Sequence, residues 1–187
     1  MRPSLESCRN EWQEQLGRVI DRAWFILGEE VAAFEREFAT FCGSRFAVGV
    51  GSGTAALEIA LRVAGVTRRE QEVITSPLTA PFTAQAILAA GATPVFADID
   101  ADTLLLDPRL VADRITPRTA AIIPVHLYGQ CCDLEALRGL AAERGATLIQ
   151  DACQAHGALQ HAGSLVAYSF YPTKNLFCLG DGGALLT

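Results

Sequence analysis

The chain has 187 residues, of which 50% are hydrophobic and 19% are charged, and its formal net charge is -6. This composition is typical of a globular protein with a substantial core and excludes a largely disordered chain. The acidic balance, without any run of basic residues, argues against nucleic acid as a partner.

The predicted elements begin with helices and continue as alternating short apolar strands and helices. Residues 5–42 have the pattern of one or two amphipathic helices. Beyond them, apolar runs predict strands at 46–50, 72–76, 93–99, 119–127, 146–150, 165–170 and 182–187. Helical patterns lie between these strands, at 54–65, 79–91, 107–115 and 133–145. We therefore predict an α/β fold with three α/β/α layers and a mostly parallel central sheet.

The N-terminal sequence and the cysteine spacing indicate a cytoplasmic protein. Residues 1–16 contain no apolar segment like that of a signal peptide. No apolar run approaches the roughly 20 residues needed to cross a bilayer. The six cysteines form no C-x-x-C pair, which argues against a disulfide framework and a zinc site. We expect reduced cysteines, no membrane contact and no bound metal.

The segment "GSGTAAL" at 51–57 follows the first predicted strand and opens a helix. Backbone N–H groups and the helix dipole favour a phosphate at such a place, although an ordinary turn capped by Thr54 has the same pattern. The glycine spacing is not G-x-G-x-x-G, no acid follows the next strand, and no lysine completes a P-loop. A nicotinamide-dependent oxidoreductase is therefore disfavoured.

Asp151 stands directly after the fifth predicted strand, where ligands bind in parallel sheets. A carboxylate at this place can cap a helix, bind a metal or pair with a protonated ring nitrogen. His156 lies five residues further on, but two ligands are too few for a metal site. A single histidine of this kind is more often structural than catalytic.

Lys174 is the only lysine in the chain, against fourteen arginines. A solvent-exposed surface lysine is the ordinary interpretation. Arginine cannot lose its proton and cannot form a Schiff base, so an arginine-rich chain must keep a lysine where an amine nucleophile is required. A phosphate site, a carboxylate and an imine-forming lysine together are what a protein supplies to pyridoxal 5'-phosphate.

Several motifs, in order and spacing, resemble the DegT/DnrJ/StrS family of sugar aminotransferases of fold type I. They run from about residue 24 to the end and include "AAGATPVFADID", "TPRTAAIIPVHLYGQ", "DACQAHGA" and "SFYPTKNLFCLGDGGALLT". The resemblance implies pyridoxal-phosphate-dependent transfer of an amino group, usually from glutamate, to a keto sugar, usually nucleotide-linked, or a cyclitol. The products enter polysaccharides, lipopolysaccharides and antibiotics. The resemblance also implies a homodimer with its sites at the subunit interface.

The resemblance assigns roles to individual residues. Lys174 corresponds to the lysine that holds the cofactor aldehyde, and Asp151 to the partner of the pyridinium nitrogen. Gln154 corresponds to the contact of the ring hydroxyl. A sister branch of the family has histidine at the position of Lys174 and performs dehydration, so the lysine favours transamination. The phosphate is expected to contact Ser169 and the start of the helix that follows the first predicted strand, at Gly53, Thr54 and Ala55.

The chain departs from the family pattern at three places. The aromatic ring that often stacks on the cofactor would fall at Ala80, so either Phe82 replaces it or the stacking is absent. The segment at 160–170 is shorter than the usual loop. Phe177 and Cys178 stand where small residues are common.

The chain is shorter than members of the family, and its last predicted strand ends at residue 187. We therefore expect an N-terminal helical segment at 1–42 and an incomplete cofactor-binding large domain at 43–187, with the C-terminal small domain absent. The alternative to a working aminotransferase is a truncated, non-catalytic remnant that at most binds cofactor or a partner subunit. We expect the chain alone to have little or no activity.

Overall fold

A computed structural model describes residues 6–158 and 165–187. Two helices precede the sheet, α1 at Arg9–Arg22 and α2 at Glu29–Cys42. The first buries none of its residues, whereas the second packs Phe38 and its neighbours into the core. Helix α2 stops at Gly43, whose φ of 66° is the left-handed conformation that glycine adopts without strain.

Seven strands form one sheet among the described residues. They are β1 Ala47–Val50, β2 Glu72–Thr75, β3 Thr93–Phe96, β4 Thr119–Ile123, β5 Thr147–Asp151, β6 Leu165–Ser169 and β7 Gly183–Leu186. Their order is β1-β7-β6-β5-β4-β2-β3. Strand β7 is antiparallel to both of its neighbours, and the other pairs are parallel. The predicted α/β class with a mostly parallel sheet is confirmed.

The remaining helices are α3 Gly53–Val63, α4 Phe82–Ala90, α5 Pro108–Ala112 and α6 Leu134–Arg144. Helices α3 and α4 pack on one face of the sheet, and α2, α5 and α6 on the other. Successive strand residues point to opposite faces, so Val73 belongs to the first core and Ile74 to the second. This double burial explains why the strands read as unbroken apolar runs.

Some predicted elements are too long at their ends. Helix α4 begins only at Phe82, because a turn in which the Ser76 side chain accepts from the N–H of Leu78 comes first. The strand predicted at 119–127 loses regular pairing after Ile123, since Pro124 has no N–H to donate. The predicted helix at 107–115 shortens to the five residues of α5.

Two further expectations concern segments rather than elements. Residues 160–164 of the shortened segment at 160–170 lie outside the described residues, and the division of the chain at residue 42 stays a prediction. None of the helices in the described part of the chain has both the length and the apolarity needed to span a lipid bilayer.

Candidate active site

A cavity of about 320 Å³ lies at the carboxyl ends of β1, β2, β5 and β6. Its volume is in the range of small-molecule sites, and its position is where ligands bind in such sheets. The cavity brings together most of the site residues predicted from sequence, namely Gly53, Thr54, Phe82, Asp151, Gln154, Ser169 and Lys174. These residues are far apart in the chain, so their convergence is a property of the fold.

The N-terminus of α3 forms one wall of the cavity. The Ser52 side chain accepts a hydrogen bond from the N–H of Ala55 at 3.1 Å, and its carbonyl accepts from Ala56 at 3.0 Å. Ser52 therefore caps this helix, and the alternative of a cap at Thr54 is wrong. The N–H of Ala55 is taken by this cap, which leaves Gly53 and Thr54 as the first amides of α3 at the cavity.

Asp151 ends β5 and is 5% exposed. Its backbone N–H donates to the carbonyl of Pro124 at 2.9 Å, and its carbonyl accepts from the N–H of His126 at 3.0 Å. On its side chain, Oδ2 accepts from the hydroxyl of Thr83 at 2.8 Å and Oδ1 from the N–H of Cys153 at 3.1 Å. A carboxylate has about four acceptor positions, so this fixed group can still accept from a cationic N–H in the cavity.

The orientation of the Gln154 amide follows from its contact with Tyr128. The backbone N–H of Tyr128 lies 3.2 Å from Oε1 of Gln154. A backbone N–H can only donate, so the oxygen must face Tyr128, and the other end of this cavity-lining side chain, the Nε2 amide, is a donor. Tyr128 has a φ of 55°, an uncommon conformation for a residue with a side chain.

Lys174 is half-buried in the cavity wall, and its backbone N–H donates to the carbonyl of Tyr171 at 2.8 Å. Cys153 lines the same cavity, and the positive charge of Lys174 acts to lower the pKa of its thiol. Burial nevertheless raises the pKa of Cys153 well above its usual value, and Asp151 adds to this effect. The thiol therefore stays protonated between the lysine and the carboxylate.

His156 lies outside the cavity lining. Its Nε2 lies 2.9 Å from the carbonyl oxygen of Ser169 and must donate to it, which places the proton on Nε2. Its Nδ1 is buried and has no hydrogen-bond partner in the described part of the chain. Burial lowers the pKa of His156, and the nearby charge of Lys174 lowers it further. A neutral, structural histidine fits these contacts.

The departure from the family pattern at Ala80 lies at the cavity, whereas Phe177 and Cys178 lie outside its lining. Both Ala80 and Phe82 line it, and the Phe82 side chain is 56% exposed. Phe177 packs against the ring of Trp12, with centroids 5.7 Å apart. The Cys178 thiol donates to the carbonyl of Phe170 at 3.2 Å. An aromatic ring is thus present at the cavity, at position 82 instead of 80.

Sequence reasoning missed the residues that hold the predicted ones. Thr83 and Thr79 were not among the candidates, although both line the cavity. The available signal was a threonine in the first turn of α4, next to Phe82. No group of three or more potential metal-binding side chains occurs among residues 6–158 and 165–187.

The whole described part of the chain matches one family of enzymes. A family model described as the DegT/DnrJ/EryC1/StrS aminotransferase family matches residues 6–187. The chain belongs to this family. The family resemblance seen in the sequence is thereby confirmed.

Among curated proteins, a dTDP-3-amino-3,4,6-trideoxy-alpha-D-glucose transaminase of Micromonospora megalomicea subsp. nigra is 49% identical. The match covers 97% of this chain and 50% of that protein. Other matched relatives are transaminases named for dTDP-linked and UDP-linked sugars. The chain spans about half the length of the curated relatives it matches.

Two solved structures show the same architecture. DesV of S. venezuelae, in complex with a ketimine intermediate, has a TM-score of 0.96 at 44% identity, over 100% of this chain and 52% of that one. NtdA from Bacillus subtilis, with bound cofactor PMP, has a TM-score of 0.89 at 34% identity, over 94% of this chain and 40% of that one. The fold predicted for the cofactor-binding large domain is therefore shared with these enzymes.

Proposed function

We propose that this protein uses pyridoxal 5'-phosphate to transfer an amino group from an amino acid, with glutamate as the donor, to a keto sugar. The observation that carries the proposal is the meeting of Lys174 and Asp151 in one cavity at the carboxyl edge of the sheet. The only primary amine among the side chains of this sequence thus lines the same cavity as a buried carboxylate.

The donors and acceptors of the cavity fit this cofactor group by group. Asp151 keeps acceptor positions for a pyridinium N–H, and Gln154 presents an amide donor for a ring hydroxyl. The first amides of α3, at Gly53 and Thr54, and the hydroxyl of Ser169 suit a phosphate. We do not propose Ala55 as an amide donor to the phosphate, because its N–H already donates to the Ser52 side chain.

When bound, pyridoxal phosphate supplies an electron sink for the carbanion formed at the carbon that loses its proton. The chain's own residues do the rest. Asp151 would accept a hydrogen bond from the ring N–H and so keep that nitrogen protonated. The amine of Lys174 would act as the base that moves the proton between the amino-acid carbon and the cofactor.

The substrate class rests on the relatives' names and on the family. Several carry dTDP-linked or UDP-linked sugars in their names, so we propose a nucleotide-linked keto sugar, with a cyclitol as the alternative acceptor. A role in the synthesis of amino sugars for polysaccharides or antibiotics follows. We also propose that the protein acts in the cytoplasm as a homodimer.

A second candidate is a chain that binds the cofactor without turnover. It is favoured by one observation, which is that the chain spans about half the length of its relatives. The two candidates share the cofactor site and differ only in whether an amino acid is converted.

Absorbance spectroscopy separates these candidates. Pyridoxal phosphate is added to the purified chain, and we expect a visible band that Lys174→Ala abolishes and that the surface variant Arg68→Ala retains. Glutamate should then convert the band to that of the aminated cofactor. No band in the unaltered chain would refute cofactor binding. A band that glutamate leaves unchanged would favour the non-catalytic candidate.

A further inference from the structure

Two hydroxyl groups, joined by a hydrogen bond, lead to the carboxylate of Asp151. The hydroxyl oxygens of Thr79 and Thr83 are 3.0 Å apart, and the Thr83 hydroxyl lies 2.8 Å from Oδ2 of Asp151. We propose that Thr83, backed by Thr79, is a positioning residue that fixes the rotation of the Asp151 carboxylate toward the cavity. Its consequence for the cofactor rests on the proposed function, whereas the positioning itself does not.

The donor and the acceptor of each of these two hydrogen bonds follow from the chemistry of the groups. An ionised carboxylate only accepts hydrogen bonds, so the Thr83 hydroxyl must donate to Asp151. A hydroxyl has one proton, and Thr83 has then used it. Thr79 must therefore donate to the oxygen of Thr83. Charge-assisted bonds of this kind are about twice as strong as neutral ones.

The positioning hydroxyl stands on a rigid support. Thr83 lies in the first turn of α4 and is 1% exposed. The same helix buries Ala86 and Ile87 completely in the core beneath the sheet. As a β-branched residue, Thr83 has few accessible χ1 rotamers. The hydroxyl is thus held by packing, which is the requirement for orienting another group.

The carboxylate is held on its other oxygen by the N–H of Cys153 at 3.1 Å. Two donors, one on each oxygen, fix the plane of the group and leave its remaining lone pairs in defined directions. Without the Thr83 donor, the carboxylate keeps the bond from the Cys153 N–H and the weaker contact of the Cys153 thiol, and the group can rotate about χ2. The Cys153 amide would then lose its fixed acceptor for part of the time.

The first experiment needs no cofactor. Amide hydrogen exchange of Cys153 is measured by NMR in the unaltered chain, Thr83→Val and Thr83→Ser. We expect exchange about tenfold faster in Thr83→Val, the equivalent of one hydrogen bond to a charged group, and restoration in Thr83→Ser. Exchange at Ile149, inside β5, serves as the reference for intact folding.

A matched control is the variant Thr75→Val. Thr75 is also a fully buried threonine, and its hydroxyl donates at 2.9 Å to the carbonyl of Ile123, away from the cavity. Its loss should leave Cys153 exchange unchanged. Equal exchange at Cys153 in Thr83→Val and the unaltered chain, with Ile149 protected in both, overturns the proposal.

The second experiment follows the ring nitrogen of pyridoxal phosphate labelled with ¹⁵N. We expect the ¹⁵N shift of a protonated ring in the unaltered chain, in Thr83→Ser and in Thr75→Val. In Thr83→Val, the shift should move toward that of the neutral ring. An unchanged shift in Thr83→Val overturns the positioning role. If the unaltered chain binds no cofactor, the proposed function fails, and the Cys153 exchange still decides the positioning role.

Discussion

Gly53 lies against Cys153 so closely that a Cβ on Gly53 would be 2.6 Å from the Cys153 sulfur. The same atom would lie 2.8 Å from Cβ of Ser169. The start of α3 can therefore meet the ends of β5 and β6 only because residue 53 has no side chain. All three of these residues line the cavity.

The variant Gly53→Ala should be less stable than the unaltered chain by about 1–3 kcal/mol, because overpacking forces Cys153 or Ser169 to move. Urea unfolding gives the free energy. The control is Gly139→Ala, at an exposed position inside α6 with nothing within 4 Å of the added Cβ. That variant should be more stable, by up to about 1 kcal/mol. Equal stability of the two variants would contradict the packing described for Gly53.

Removal of the aromatic ring at the cavity should weaken cofactor binding. Aromatic stacking contributes about 0.5–1.5 kcal/mol, so Phe82→Ala should raise the Kd for pyridoxal phosphate about two- to tenfold. Leu88→Ala is the matched control, since Leu88 lies on the same helix and is also largely exposed, at 60% against 56%. Titration by absorbance measures both. The same Kd in all three proteins would mean that Phe82 does not replace the aromatic expected at Ala80.

The variant Lys174→Arg keeps the positive charge and removes the ability to form an imine. We expect the covalent adduct, trapped with borohydride and located by mass spectrometry, to fall to background. Arg68→Lys tests specificity, because it adds a second lysine on the exposed surface away from the cavity. In that variant the adduct should still form at Lys174 alone. Comparable labelling of both lysines would show that the cavity does not activate Lys174.

Because of His126, the stability of the chain should decrease as the pH is lowered. This residue is fully buried, accepts at Nδ1 from the N–H of Cys132, and donates from Nε2 to Gln150. Burial lowers its pKa, and protonation would set two N–H donors against each other at Nδ1. The usual pKa of histidine is about 6.5. At pH values between the two pKa values, the unfolded chain therefore carries a proton on His126 that the folded chain does not.

The sign of this effect is fixed by that difference. Stability from His126 is fully present above about pH 6.5 and is lost as pH falls, with a slope of at most about 1.4 kcal/mol per pH unit. Urea unfolding at about pH 7.5 and about pH 5.5 should show a smaller loss in His126→Gln than in the unaltered chain. His156→Gln should act in the same direction, since burial lowers that pKa too. An unchanged loss in His126→Gln would contradict the buried neutral histidine.

Much of the fold was predictable because its signals are local. Apolar runs such as 72–76 and 146–150 marked strands buried on both faces, and β2 and β5 lie within or one residue beyond them. The ends of elements were less predictable. The turn before Phe82 depends on a side chain that accepts from the backbone at Leu78, and the conformation of Tyr128 depends on Gln154, which is distant in sequence.

The sequence by itself determined the fold class, the family and the chemistry available at Lys174 and Asp151, because periodicity and residue type are written locally. Only the tertiary structure decided which groups hold these two residues. Thr83 donates to Asp151, which lies 68 positions further along the chain. The Ser52 side chain accepts from the N–H of Ala55, which the sequence analysis had assigned to the phosphate. These contacts depend on the order of the strands and on the packing of α3 and α4 against them, and local sequence patterns do not specify either.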